Sequence, residues 1–169
     1  MTGSTVAPES EDRLHVVDVS VAIPNRDPMD VLRYAANVVA PSDHPIARAI
    51  TAAGRAATGP DTESPLEVTG FVAHAAGGVE GLVRRAHAGL APAGVLNTRR
   101  VLVGHLGWLA EQGVAIPDEV RSTVRQHEEA GATAIAVAWD GGARGVIALR
   151  DQTVETAAAQ RKRRPSSFR

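Results

Sequence analysis

Residues 133–149, TAIAVAWDGGARGVIAL, constrain the fold of this chain more than any other stretch. Two apolar runs flank Asp140-Gly141-Gly142, where Asp and Gly tolerate the positive φ that a tight hairpin turn demands. Such a hairpin sets two strands side by side and antiparallel. Other stretches supply more strands: LHVVDVSVAI (14–23), LEVTGFVAHA (66–75) and LNTRRVLVGH (96–105) are rich in Val, Ile and Leu. Short returns between strands favour an antiparallel sheet over a doubly wound parallel one. The expected fold class is therefore α/β of the α+β type, an antiparallel β-sheet flanked by helices. Aromatic residues are only 3% of the chain, so its core must be built from Ala, Val, Leu and Ile.

The helices announce themselves by caps and periodicity. Asp27 suits an N-cap, Pro28 the first helical position, and Asp30 complements the first-turn dipole. Leu32, Ala35, Ala36 and Val39 then recur at helical spacing. Pro41 ends this helix. Ser42 or Asp43 can cap the next, with Pro45 in its first turn and Ile46, Ala49, Ile50 and Ala53 as its buried stripe. Residues 27–57 thus form an N-terminal helical hairpin whose elbow, APSDHP, carries the pair His44-Pro45. Further on, TGPDTESP reads as a loop and AAGGVEG as a turn into GLVRRAH. LGWLAEQG reads as a short helix, and PDEVRSTVRQHEEAGA (117–132) as a helix that Gly131 ends. DQTVETAAAQ starts one more, with Asp151 as its cap. The domain is expected over 14–150. The polar opening, 1–13, reads as a flexible segment, and 151–169 as a connecting segment with the basic tail RKRRPSSFR.

Several functions are argued against. A chain of 169 residues makes one domain, or one with a small appendage. A net charge of -1 and few aromatics speak against nucleic acid. The absence of cysteine removes thiolate metal sites and a cysteine nucleophile. No apolar run reaches the length of a membrane span, and MTGSTVAPESEDR lacks the order of a signal peptide. His44, His74, His87, His105 and His127 are scattered without metal-ligand spacing, and His15 lies in a strand pattern. No nucleophile stands beside a base, which disfavours a free-standing hydrolase. Three stretches remain as candidates. A His at a helix start, as in SDHPIARAI (42–50), can meet an anion or a flat ring, or be an ordinary turn residue. Glycines such as those of GGVEG (77–81) let backbone approach a ligand, or simply make a turn. VLVGH (101–105) suits a ligand rim and a plain strand end equally well.

In order, SDHPIARAI, GGVEG, VLVGH and GATAIAVAWDGGARGVIALRDQTVETA resemble the nucleotide-binding domain of heavy-metal-transporting P-type ATPases. That family carries a Ser-Glu-His-Pro signature on a helical hairpin, a Gly-x-Gly turn, a Val-Gly-Asn strand end and a closing hairpin. The resemblance runs from about residue 14 to 158. It implies that ATP binds, with magnesium, that His44 lies against the adenine, and that Gly78 and Gly104 line the nucleotide, with Asp43, Gly77, Val79, Gly81 and His105 nearby. It implies a cytoplasmic domain of an integral membrane pump for a copper-like ion, with the phosphorylation and actuator domains as partners and the isolated domain a monomer.

MTGSTV is similar to the segment just after the family's Asp-Lys-Thr-Gly-Thr phosphorylation motif. That motif is itself missing, so the isolated chain is expected not to hydrolyse ATP and looks excised from a longer pump. Three positions depart from the pattern. Val39 stands where the family has a Glu that reads the adenine amino group, Ala76 replaces the first Gly of Gly-x-Gly, and His105 replaces Asn. A hydrocarbon at 39 cannot accept a hydrogen bond, a loss of about 0.5–1.5 kcal/mol. These departures motivate an alternative, a degenerate copy of the domain that no longer binds nucleotide and serves as a structural or regulatory interaction module.

Overall fold

A computed structural model of the chain describes residues 14–23, 26–58, 66–85 and 98–151. The opening segment, residues 24–25, the expected loop at 59–65, the stretch 86–97 with His87, and 152–169 with the expected last helix and basic tail lie outside the described residues. In chain order the elements are β1 (Leu14–Val21), α1 (Pro28–Val39), α2 (Pro45–Ala57), β2 (Leu66–His74), β3 (Gly78–Arg85), β4 (Thr98–Gly104), α3 (Leu106–Glu111), α4 (Asp118–Glu129), β5 (Thr133–Trp139) and β6 (Gly142–Asp151). The strands make one six-stranded sheet in the order β1-β6-β5-β4-β3-β2. Every neighbouring pair is antiparallel, as the hairpin pattern implies.

The β5–β6 hairpin organises both layers. Its turn is Asp140 and Gly141, at φ 53° and 78°, and Gly142 is already paired with Trp139. Side chains alternate across a strand, and here both sides are apolar. Ile135, Val137 and Trp139 join Ile147 and Leu149 in a core with Val31, Leu32 and Val38 of α1 and Ile50 of α2. Ala134, Ala136 and Ala138 face the opposite way, into a second core with Trp108 and Leu109 of α3 and Val120 and Val124 of α4. Small residues on that face admit a closely packed helix layer. The α1–α2 hairpin covers the first face. On the second, α3 packs on β4 and β5 and α4 on β5 and β6. Beyond β4 the second face is open: Val72 is 44% and Leu82 41% exposed. Ion pairs cross that open surface, Arg84 with Glu67 and Arg100 with Glu80.

Two local expectations are corrected. The cap of α2 is His44 itself, not Ser42 or Asp43. Pro45 occupies the first helical position and holds its predecessor extended, φ −62° and ψ 141°. The Ser42 hydroxyl instead accepts from the His44 amide at 3.3 Å. Gly78 to Gly81 belong to β3 rather than to a turn, because their backbone pairs with strands on both sides; the turn ends at Gly77. Asp151 ends β6 opposite Leu14, as pairing with β1 carries the strand past its apolar run, and the helix expected to follow it lies outside the described residues.

Candidate functional site

A cavity of about 270 Å³ opens where the α1–α2 elbow, the β2–β3 turn and the end of β4 converge. Its floor is aliphatic: Val39 from α1, Ala47 and Ile50 from α2, Val79 from β3, Val103 from β4 and Ile135 from β5. Val79 and Val103 are direct cross-strand partners, so the register places both on the helix-covered face. The rim is polar, with Ser42, His44, His74, Gly77 and His105. Among the described residues no Asp, Glu, Lys or Arg lines it. The site can therefore shelter a flat, largely apolar ring and offer neutral or titratable hydrogen-bonding groups at the edge.

Each rim group is set by local structure. His44 is the N-cap of α2, and its Nδ1 accepts from the Ile46 amide at 3.2 Å. His105 stands at the N-cap of α3, where it makes no side-chain capping bond. Its amide donates to the Gly77 carbonyl at 3.4 Å, tying the β2–β3 turn to α3. Gly77 carries φ 103°, a conformation an L side chain rarely adopts. The demand for glycine thus falls on Gly77 and not on Ala76, which has no positive φ.

His74 ends β2, half-buried, with its ring 5.1 Å from that of Trp108 and inclined at 46°. Its Nε2 lies 3.0 Å from Glu80 Oε1, and Glu80 Oε2 accepts from Arg100 Nε at 2.6 Å. Burial alone would raise the Glu80 carboxyl, but hydrogen bonds from His74 and Arg100, with their charge, outweigh it and hold the group below its ordinary value.

Of the residues expected from sequence, His44, Gly77, Gly78, Val79 and His105 meet at this cavity, as does Val39. Asp43, Ala76, Gly81 and Gly104 do not line it. Gly78 and Gly104 are paired in register, and a Cβ on either would run into the Trp108 ring on the opposite face of the sheet. At Gly104 that Cβ would lie 2.7 Å from Trp108 Cε3 and 2.8 Å from the Gly77 carbonyl oxygen. These two glycines make a bed for an indole. Gly81 is buried, with room taken by Val68 Cγ1 at 2.9 Å from any added Cβ. Asp43 is exposed beside the elbow.

Sequence reasoning missed Ser42, Ile46, Ala47, Ile50, Ala73, His74, Ala75, Val103 and Ile135 as lining residues. Only the alternation of VLVGH hints that Val103 faces the helices. Elsewhere, His127 Nε2 approaches Asp18 Oδ2 at 3.2 Å, joining α4 to β1. Among the described residues no three His, Asp or Glu side chains gather as a metal site, and no helix is long and apolar enough to cross a membrane.

No family model matches the chain. Among curated proteins it is 35% identical over 149 residues to the probable copper-exporting P-type ATPase V of Mycobacterium tuberculosis, a match that covers 86% of this chain and 17% of the relative. It is 33% identical over 150 residues to copper-transporting ATPase 2 of Homo sapiens, 76% of this chain and 10% of the relative. The chain therefore spans less than a fifth of the length of these relatives. Among solved structures, the N-domain of HMA6, a copper-transporting P-type ATPase, matches with TM-score 0.60 and 21% identity over 82% of this chain and 99% of that one. A zinc-transporting PIB-type ATPase matches with TM-score 0.64 and 22% identity over 88% of this chain and 21% of that one. The second pair of likenesses speaks to fold, and the first to descent. In sequence and in fold together, the chain belongs with the nucleotide-binding domains of heavy-metal-transporting P-type ATPases of the copper-transporter kind.

Proposed function

We propose that this chain is the ATP-binding domain of a heavy-metal-translocating, copper-transporter-like P-type ATPase, on the cytoplasmic side of an integral membrane protein. The domain holds Mg-ATP and presents the γ-phosphate to an aspartate on a neighbouring phosphorylation domain. Its contribution is positioning, because phosphoryl transfer rests on alignment and charge neutralisation more than on covalent help. The observation that carries this reading is convergence. Stretches 42–50, 73–79 and 103–105, far apart in sequence, meet around one cavity with an aliphatic floor and a hydrogen-bonding rim. Magnesium would come bound to the phosphates, since among the described residues no carboxylate lines the site. A second reading, a degenerate domain without nucleotide, is favoured by Val39, which is 3% exposed and leaves the floor with no hydrogen-bond acceptor.

An amide-shift titration with Mg-ATP separates the two. On the first reading, residues 42–47, 74–79 and 103–105 shift together. His44→Asn keeps a good helix cap and removes the ring, so it should weaken binding severalfold without unfolding the domain. Val39→Gln adds an uncharged acceptor to the floor and should tighten ATP binding about threefold. Silence in all three stretches at millimolar nucleotide, with no gain from Val39→Gln, establishes the degenerate reading instead.

A further inference from the structure

Among the described residues, no side chain around the cavity is committed to accepting a hydrogen bond from a ligand. The floor is hydrocarbon from end to end. At the elbow, the His44 Nδ1 already accepts from the Ile46 amide at 3.2 Å, so that ring has only the N–H of Nε2 left to offer. The His74 ring belongs to the other side of the sheet. Register sets it on the face of Glu80 and Leu102, where it leans on Trp108 and meets Glu80 at 3.0 Å, away from the floor. Asp43 is exposed and does not line the cavity. Rim carbonyls are engaged as well: those of Val39, His44, His74 and Gly77 accept from the amides of Ser42, Arg48, Gly77 and His105. Two rim side chains keep both signs open. The Ser42 hydroxyl accepts from the His44 amide at 3.3 Å and retains its hydrogen and a second lone pair. His105 makes no side-chain capping bond, and a neutral imidazole presents a donor or an acceptor according to which nitrogen bears the hydrogen.

Purines differ at one edge: a 6-amino group donates and a 6-oxo group accepts. A site tells the two apart when it holds a buried group of fixed sign that the wrong ring leaves unpaired. An apolar pocket has no such lever and rejects a ring of the same shape only weakly. Here the grip is hydrocarbon against a flat ring, and Ser42 and His105 adapt to whichever edge arrives. The one donor of fixed sign, on His44, does not upset this tolerance, because both kinds of purine carry ring nitrogens that accept. We propose that this cavity selects its base by shape and not by edge, so that its ligand class is purine nucleoside triphosphates in general, 6-amino and 6-oxo alike. This rests on the nucleotide-binding reading above and adds to it the range of bases that the site takes. A pyrimidine buries less ring against the same floor and is the poorer ligand.

The test measures Kd on the full chain by calorimetry, in mildly alkaline buffer, for Mg-ATP, for Mg-inosine triphosphate, which has a 6-oxo group, and for Mg-uridine triphosphate. Wild type should bind the two purines within about threefold of each other and the pyrimidine about fivefold more weakly. Both purines should shift the amides of 42–47, 74–79 and 103–105. Val39→Glu sets an acceptor of fixed sign on the floor and should turn near-equality into a preference of about fivefold for ATP. Thermal melting confirms that this variant is folded, and the wild-type ratio decides alone if it is not. A wild-type ratio beyond about threefold, in either direction, overturns the proposal and leaves the nucleotide-binding reading standing. Uridine triphosphate binding as tightly as the purines does the same, as does a folded Val39→Glu that gains no preference. Failure of all three nucleotides to bind removes that reading and this proposal with it.

Discussion

The two ends of the sheet are built on different principles. At β5 and β6 both faces are sealed, Ile135, Val137 and Trp139 under the α1–α2 hairpin and Ala134, Ala136 and Ala138 under α3 and α4. Along β2 and β3 one face is covered, and on the other Trp108 reaches only the turn end, at Gly78 and His74, among the described residues. Val68, Val79 and Val83 pack toward α1 and α2, while the other face carries Glu67, Arg84, Glu80 and Arg100 in cross-strand ion pairs. The sealed end commits its apolar side chains to packing on both faces. The half-open end can hold titratable groups without burying unpaired charge. The cavity lies on the seam between them. Its floor is borrowed from the sealed core through Ile135, Val103 and Ile50, and its rim comes from the half-open end and the elbow. Rigid packing below and adjustable polar groups above is the arrangement a binding site requires.

The largest effect that would break this contrast is expected from Trp139→Ala. Trp139 is 2% exposed and its ring lies 5.1 Å from Tyr34. Removing it from the sealed end should cost about 3–5 kcal/mol, read as a fall in the urea midpoint. A loss under about 1 kcal/mol would mean that this end does not anchor the fold. Next comes Gly104→Ala, at the seam. The added methyl meets Trp108 and the Gly77 backbone, so a destabilisation of about 1–3 kcal/mol is expected. Trp108→Leu should relieve part of it, and additive behaviour of the two changes would show that the indole is not what glycine makes room for.

Glu80→Gln, at the half-open end, should cost about 1 kcal/mol near neutral pH, because Arg100 is half exposed and solvent screens the pair. Its pH dependence sharpens the assignment. A carboxyl whose folded pKa is depressed stabilises the fold above its unfolded value and loses that contribution as pH falls through the folded one. The stability gap between wild type and Glu80→Gln should therefore be full above the ordinary carboxyl value of 4.5 and close on further acidification. A gap that stays constant in urea melts across that range would remove the ion-pair account. The smallest effect belongs to Leu82→Thr, where a side chain 41% exposed on the open face leaves stability within about 0.5 kcal/mol. A larger loss in a thermal melt would mean that the open face is covered after all.

The sequence by itself determined what depends on neighbours along the chain. The 133–149 hairpin, the helical pair over 27–57 with its Asp27 cap, and the antiparallel class of the sheet were legible. Turn chemistry, caps and periodicity act over a few residues. The approximate place of the cavity was legible too, because His44, Gly77, Val79 and His105 lie in stretches whose order resembles a family. Tertiary structure alone decided what each residue does there. A glycine in the sequence shows a missing Cβ but not what that Cβ would strike. That Gly78 and Gly104 leave room for Trp108, from a different element, is therefore not legible along the chain. His74 looked like one of several scattered histidines. Its hydrogen bond to Glu80 exists only because sheet register sets Glu80 within reach of it and Arg100 within reach of Glu80, through contacts that close between strands and not along the chain.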